Sequence, residues 1–426
     1  MKASSIDIYS LNYILFSSFR HKAQEAKPLF TCFMIYLYDF LKDVFKKAGT
    51  KYPESKPILL YSPSINNQRT TDPIVSNLDE GSYTYWRKTD GCLPVVRIHL
   101  ISLFYAVSFF VFYFRQSKED KKLIRRFFNI FFTAIGRFIV IDRFYKKNSQ
   151  LKILVMANDH NQTNRCMIEL AEKYGIKTIY TQHASVTERF PALHFDYSFL
   201  DGLESYEKYE KVGDIKGRVF LSGSPRYDLL HDYSGIGKSN VIGIGLSEAD
   251  KVEKVIELCS YIKSCSNYEI IVRPHPRTEP MFPSDIFINQ GVTVSFPSKE
   301  NSLSFLSKVS ILIANESGIH LDAAIMHKRS IMFNFSENEV MDWYGFIKQG
   351  LITYCTSFDD VIHQIENQTP ILSETIQYYY AAYNTPHEGK VGVLIAELIK
   401  TLLNNNVDGF ISKYFIKTGD GYYLYR

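Results

Sequence analysis

The sequence predicts an α/β protein built from two doubly wound domains, each a parallel sheet with helices on its faces, preceded by an N-terminal helical, aromatic-rich region. Three observations carry this. From residue 150 onward short β-branched runs alternate with helical stretches, the pattern of parallel strands joined by crossover helices. The alternation halts at a polar, glycine-bearing stretch, residues 231–239 (HDYSGIGKS), and then restarts, so a second sheet follows the first. A length of 426 residues suits two domains, each able to bury its own core.

The elements follow in order. Residues 1–56 read as a helical segment. A strand over 57–61 opens the first domain, 57–230, which continues with a strand at 151–156, a helix at 164–174 and strands at 177–181 and 218–221. Residues 231–239 form the linker. Its GIGKS lacks the earlier glycine of a phosphate loop, since that position is Asp232. The second domain, 240–404, has strands at 241–245, 269–273, 292–295, 310–314 and 330–334 and helices at 249–263 and 318–326. A helix at 391–403 closes this domain or crosses back to the first. The Tyr-rich residues 405–426 form a tail with no assigned structure.

Composition narrows the class. A chain 46% hydrophobic and 22% charged folds and is not disordered over long stretches, while 15% aromatic residues is a high share. Cys32, Cys92, Cys166, Cys259, Cys265 and Cys355 form no CxxC pair and no zinc-type spacing, which points to reduced thiols in a reducing compartment. The start, MKASSIDIYSLNYILF, has no clear cleavage site for a signal peptide.

Residues 98–147 stand apart. From 98 to 114 no Asp, Glu, Lys or Arg occurs, and the apolar stretch 127–141 is broken only by Arg137. Residues 115–147 hold ten Lys/Arg against three Asp/Glu, within a chain whose formal charge is only +4. Three readings stay open: core helices of the first domain, helices seated in a membrane interface, or a true span, for which about 20 apolar residues are needed. Large apolar runs within the basic cluster argue against nucleic acid as a partner.

Four short elements carry chemistry. Arg273-Pro-His275-Pro-Arg277 leaves a strand on a stiff prolyl exit, presenting a guanidinium and an imidazole suited to a phosphate. Residues 314–322 (ANESGIHLD) pass from strand to helix. Ser317 and Gly318 fall at the helix start, where free amides attract anions; Glu316 is a candidate for ribose or donor hydroxyls, and Asp322 lies one turn on. Thr181-Gln-His183-Ala-Ser185 follows a first-domain strand, where a histidine can serve as general base, with Asp159 or Glu188 as alternative carboxylates. Residues 223–228 (GSPRYD) follow the last first-domain strand. Asp359-Asp360 reads as a helix start, not a metal site.

In this order the four elements resemble the CDP-glycerol glycerophosphotransferase and teichoic-acid polymerase family and, more distantly, GT-B transferases that use CMP-activated sugars in capsule synthesis. Gln182-His183-Ala184, residues 223–228, Arg273 to Pro276 and residues 315–322 stand where that family has WHG-like, GxPRxD, RxHP and DxSSxxxD elements. Gln182, Ala184, Asn315 and Gly318 depart from its pattern. The resemblance implies a GT-B-like fold, two Rossmann-like domains facing an interdomain cleft, with the acceptor bound by the first and the donor nucleotide by the second. It also implies that His183 is the acceptor-side base and that Arg273, His275 and Ser317 hold the donor's phosphates.

The expected function is therefore transfer of a sugar or polyol phosphate from a nucleotide-activated donor to an oligosaccharide or lipid-linked acceptor of a bacterial surface polysaccharide. No cofactor or metal is required. The expected place is the cytoplasm, peripheral on the inner face of the membrane through residues 98–147. The alternatives are a sugar-nucleotide epimerase of the UDP-N-acetylglucosamine 2-epimerase type and a non-catalytic carbohydrate- or membrane-binding protein of the same pathway.

Overall fold

A computed structural model describes residues 26–45, 56–87, 93–187, 190–233, 240–367, 371–404 and 406–426. Glu188, most of the expected linker and much of the N-terminal segment lie outside these residues. The chain divides into two compact units.

The first unit is built on β1 (Ile58–Ser62), β2 (Tyr83–Arg87), β3 (Ile153–Met156), β4 (Lys177–Thr181), β5 (His194–Leu200) and β6 (Lys216–Leu221). Residues Phe415–Lys417 and Tyr422–Tyr425 extend the sheet, giving the order 415–417, 422–425, β6, β5, β4, β3, β1, β2. All neighbours are parallel except the 415–417/422–425 pair. Residues 405–426, read as an unassigned tail, thus complete a sheet.

The helix Val391–Leu403 belongs to this unit, so of its two expected places it takes the one that crosses back to the first domain. It packs on the helix Ile65–Val75 so closely that a Cβ on Gly392 would fall 2.7 Å from the carbonyl oxygen of Pro73. The boundary between the units falls at Arg226–Tyr227, ahead of the expected linker.

The region 98–147 folds as helices Val95–Phe104, Ala106–Arg115, Lys118–Arg126 and Phe128–Lys147. The longest has most of its apolar residues buried and packs on Val95–Phe104, where a Cβ on Gly136 would lie 2.1 Å from the carbonyl oxygen of Ile98. With Leu29–Phe45 these helices close an aromatic core: the ring of Phe132 lies 4.5 Å from Tyr36, 5.0 Å from Phe109 and 5.3 Å from Phe128. Such pairs add about 0.5–1.5 kcal/mol each beyond area burial. Arg137, the one charge in the apolar stretch, ties helices together by donating to Gln162 Oε1 at 3.0 Å and Thr163 Oγ1 at 2.6 Å. Among the described residues no single helix is long and apolar enough to cross a membrane; Val95–Phe104 and Ala106–Arg115 together pass that test but are bent by 66°.

The second unit carries β7 (Val241–Gly245), β8 (Glu269–Arg273), β9 (Thr293–Val294), β10 (Ile311–Ala314), β11 (Arg329–Phe333) and β12 (Thr353–Cys355). They form a parallel sheet in the order β12-β11-β10-β7-β8-β9. The direction of winding reverses at β7, and in such sheets ligands gather at the carboxyl ends of the strands flanking the reversal.

Candidate functional site

In the first unit the loops leaving β3, β4 and β6 are locked to one another. Asn158 Oδ1 accepts from the His160 amide at 2.7 Å, and Asn161 caps the helix Gln162–Lys173 by accepting from the Asn164 amide at 2.9 Å. The turn places Asp159 inward. Its side chain is wholly buried, with Oδ1 2.7 Å from His160 Nδ1 and Oδ2 3.5 Å from Arg165 Nη1. Neither oxygen has a hydrogen bond of good direction, so the buried charge is offset by those two close contacts. A buried carboxylate is costly unless paired, and removing a partner from such a group is strongly destabilising.

The loop after β4 is fixed from two sides. Gln182 Nε2 donates to the Ala184 carbonyl and to Ser205 Oγ, both at 3.0 Å, while Ser224 Oγ donates to the Gln182 carbonyl at 2.8 Å. Arg226 Nη1 donates to the His183 carbonyl at 3.0 Å, which gives the 223–228 turn a clamping role. Gly223, at φ +78°, adopts the left-handed conformation that starts this turn.

His183 and His160 meet, their ring centroids 5.7 Å apart. Burial lowers the His183 pKa to about 4, helped by the positive charge of His160 and Arg226 and opposed by Asp159 and the Ala157 carbonyl. The ring is therefore neutral at neutral pH. Its Nδ1 is buried without a hydrogen-bond partner among the described residues. Asp159, expected as an alternative base, has 0% exposure and so presents no surface of its own to a substrate hydroxyl; its carboxylate faces His160 instead. His160 escaped the sequence reading, although an Asp-His pair directly after an apolar strand was its signal.

In the second unit the loops after β7, β8, β10 and β11 share one edge of the sheet. Asn315 bridges three of them, donating to Asp250 Oδ1 at 2.7 Å and Asn334 Oδ1 at 3.3 Å. His320, wholly buried, joins Asn315 and Ser330 through its two ring nitrogens, and burial lowers its pKa to about 4.

Arg273 does not present its guanidinium outward as the prolyl exit suggested. Nη1 donates to Ser295 Oγ at 2.8 Å, Nη2 to the Glu300 carbonyl at 2.9 Å, and the group lies over Phe305. It holds the β8 and β9 loops together. His275 is a third exposed, its Nδ1 accepting from the Arg277 amide at 3.2 Å, which leaves Nε2 as the donor nitrogen. Glu248, from the loop after β7, lies 3.6 Å from that ring and accepts from Arg277 at 2.9 Å.

Glu316 accepts from the amides of Met341 (3.2 Å) and Trp343, so its carboxylate holds the 341–343 loop. Asp322 accepts from Tyr227 Oη at 3.1 Å. Ser317 and Gly318 do sit at a helix start, with open space where a Gly318 Cβ would point. That helix, Ile319–Ile325, has only 7 residues, which limits its dipole. One strand, β7, separates the His275 loop from the Ser317 loop, a gap of roughly 10 Å at the usual strand spacing. Asp360 forms a capping box with Ser357, and Asp359 accepts from Tyr261 Oη, so this acidic pair does structural work.

Two parallel-sheet units of this kind define a GT-B-like fold. Solved structures that share it include the UDP-GlcNAc 2-epimerase from Methanocaldococcus jannaschii, at TM-score 0.53 and 12% identity over 80% of this chain and 99% of that one. A second UDP-N-acetylglucosamine 2-epimerase matches at TM-score 0.51 and 12% identity, over 83% and 97%. The wall teichoic acid polymerase TagF matches more distantly, at TM-score 0.48 and 14% identity over 88% and 98%, too remote to argue from. No protein-family model matches the sequence, and no curated protein does. These likenesses establish the fold.

Proposed function

We propose that the chain is a nucleotide-dependent transferase of the GT-B type, moving a sugar or polyol phosphate from a nucleotide-activated donor to an oligosaccharide or lipid-linked acceptor of a bacterial surface polysaccharide. The observation that supports it most is the cluster of Asp159, His160 and His183 at the carboxyl ends of β3 and β4. A buried carboxylate backing an imidazole beside a second, neutral imidazole is suited to removing a proton from a hydroxyl. His160 or His183 takes that proton, and Asp159 orients His160. On the second unit His275, Ser317 and Gly318 receive the donor phosphates, with Arg273, Glu316 and Asp322 holding their loops. No metal is needed in this scheme, and the protein works on the inner face of the cytoplasmic membrane as a peripheral enzyme.

A thermal-shift screen against CMP, CDP, UDP and GDP tests the reading. A nucleotide at a hundredfold its Kd stabilises the native state by about 2.7 kcal/mol, so the preferred base stands out. If none shifts the melting temperature, the proposal fails. Turnover of a nucleotide sugar with no acceptor present would identify an epimerase instead.

A further inference from the structure

The helices ahead of β3 form a site that the transfer chemistry leaves unused. An open pocket of about 260 Å³ is lined by the cationic Lys27, Arg125 and Arg126, by Asn129, and by apolar residues that include Ile35, Phe127 and Phe128. Among the described residues no carboxylate lines it. The nearby carboxylate of Asp39 accepts the amide of Asn129 at 2.5 Å. The Nε atoms of both Arg125 and Arg126 are buried and have no hydrogen-bond partner among the described residues. Buried guanidinium N–H groups without acceptors are costly, and a phosphate is the anion whose oxygens match their planar forks.

The second observation is the outer face of Leu29–Phe45. Phe30, Met34, Tyr38, Leu41 and Phe45 are all exposed, Phe30 to 74% and Phe45 to 83%, and their spacing puts them along one side of the helix. A free phosphate needs the cations but has no use for such an apolar stripe; a lipid uses both.

We propose that this pocket binds the phosphate of an anionic membrane lipid, with the stripe on Leu29–Phe45 seated at the acyl-chain boundary. The site rests on the peripheral membrane association proposed above and assigns it to particular residues, most of them outside the basic surface of Lys118–Arg126.

The test uses the whole chain in flotation assays with vesicles of phosphatidylcholine alone or mixed with phosphatidylglycerol. Arg125→Gln/Arg126→Gln is compared with Lys121→Gln/Lys122→Gln, which removes the same charge from the same helix outside the pocket. The pocket variant is expected to lose on the order of tenfold more affinity than the control for the mixed vesicles. Should it unfold, Arg125→Lys/Arg126→Lys keeps the charge, loses the forks and is expected to fall between the two. A short-chain soluble phosphatidylglycerol should raise the melting temperature of the wild type but not of the pocket variant, and inorganic phosphate should do neither. An equal response to inorganic phosphate would overturn the lipid assignment. Equal losses in the two charge pairs would overturn the pocket while sparing membrane association, and failure of the wild type to float with either vesicle would remove both.

Discussion

Asp159 lies under His160, its Oδ1 2.7 Å from Nδ1, with no exposed surface of its own. On the proposed mechanism Asp159→Asn slows transfer by roughly two to four orders of magnitude without touching nucleotide affinity, because His160 loses the carboxylate that orients it. It also takes from the buried Arg165 the charge of a carboxylate 3.5 Å away, at a cost of up to about 3–5 kcal/mol, so rates must be taken well below the lowered melting temperature. His160→Ala and His183→Ala, compared on the same assay, identify the base by the larger loss. Full activity in all three variants would remove this cluster from the mechanism.

Acid should weaken the fold through two histidines. Burial takes His183 and His320 from their ordinary value of 6.5 down to about 4. Between those values the unfolded chain binds protons that the native chain excludes, so stability falls as pH drops from 6.5 towards 4. Each histidine contributes up to about 1.4 kcal/mol per pH unit, and neither contributes to the slope well above 6.5. Denaturation measured from pH 7 to pH 5 should show this slope, and His320→Gln should reduce it by about one proton. An unchanged slope in that variant contradicts a buried, neutral His320.

Arg273 and His275 should separate. Arg273→Ala strands Ser295 and the Glu300 carbonyl and should cost about 1–3 kcal/mol of stability. His275→Ala should leave the melting temperature nearly unchanged and weaken donor binding about ten- to a hundredfold, the worth of one charge-assisted contact. Calorimetry with the preferred nucleotide beside a thermal melt checks both; equal nucleotide affinity in His275→Ala and wild type would take the donor off this loop.

Gly136 should tolerate no side chain. A Cβ there meets the Ile98 carbonyl at 2.1 Å and Ser102 Oγ at 2.4 Å. Gly136→Val must push Val95–Phe104 away, costing about 1–3 kcal/mol or more. A melting temperature equal to wild type would mean that the two helices do not pack at this point.

The sequence disclosed the strands whose apolar runs are unbroken: β3, β4, β7, β8, β10 and β11 were legible within a residue or two. It hid β5, because Asp196 interrupts the run. In the fold that carboxylate accepts from Thr178, by its amide at 2.9 Å and its hydroxyl at 3.0 Å, across the neighbouring strand β4. No local pattern announces such a partner. The same limit misled the reading of Arg273, whose acceptors come from Ser295 and Glu300 far along the chain. The 415–425 hairpin was more accessible: Gly419-Asp420-Gly421 between apolar residues is a turn signal, and Gly421 sits at φ +92°.

That hairpin sets the order of events on the ribosome. Residues 227–390 are synthesised before Val391–Leu403 and Tyr422–Tyr425, so the second unit has its whole sheet available while β6 still offers an open edge. An unpaired edge strand invites pairing with other chains, and domains commonly fold as they emerge. A chain truncated after residue 390 would carry the whole second unit attached to a first unit whose β6 edge is uncapped. Such truncated chains should engage chaperones through the first unit, whose sheet is completed only by residues that follow the second.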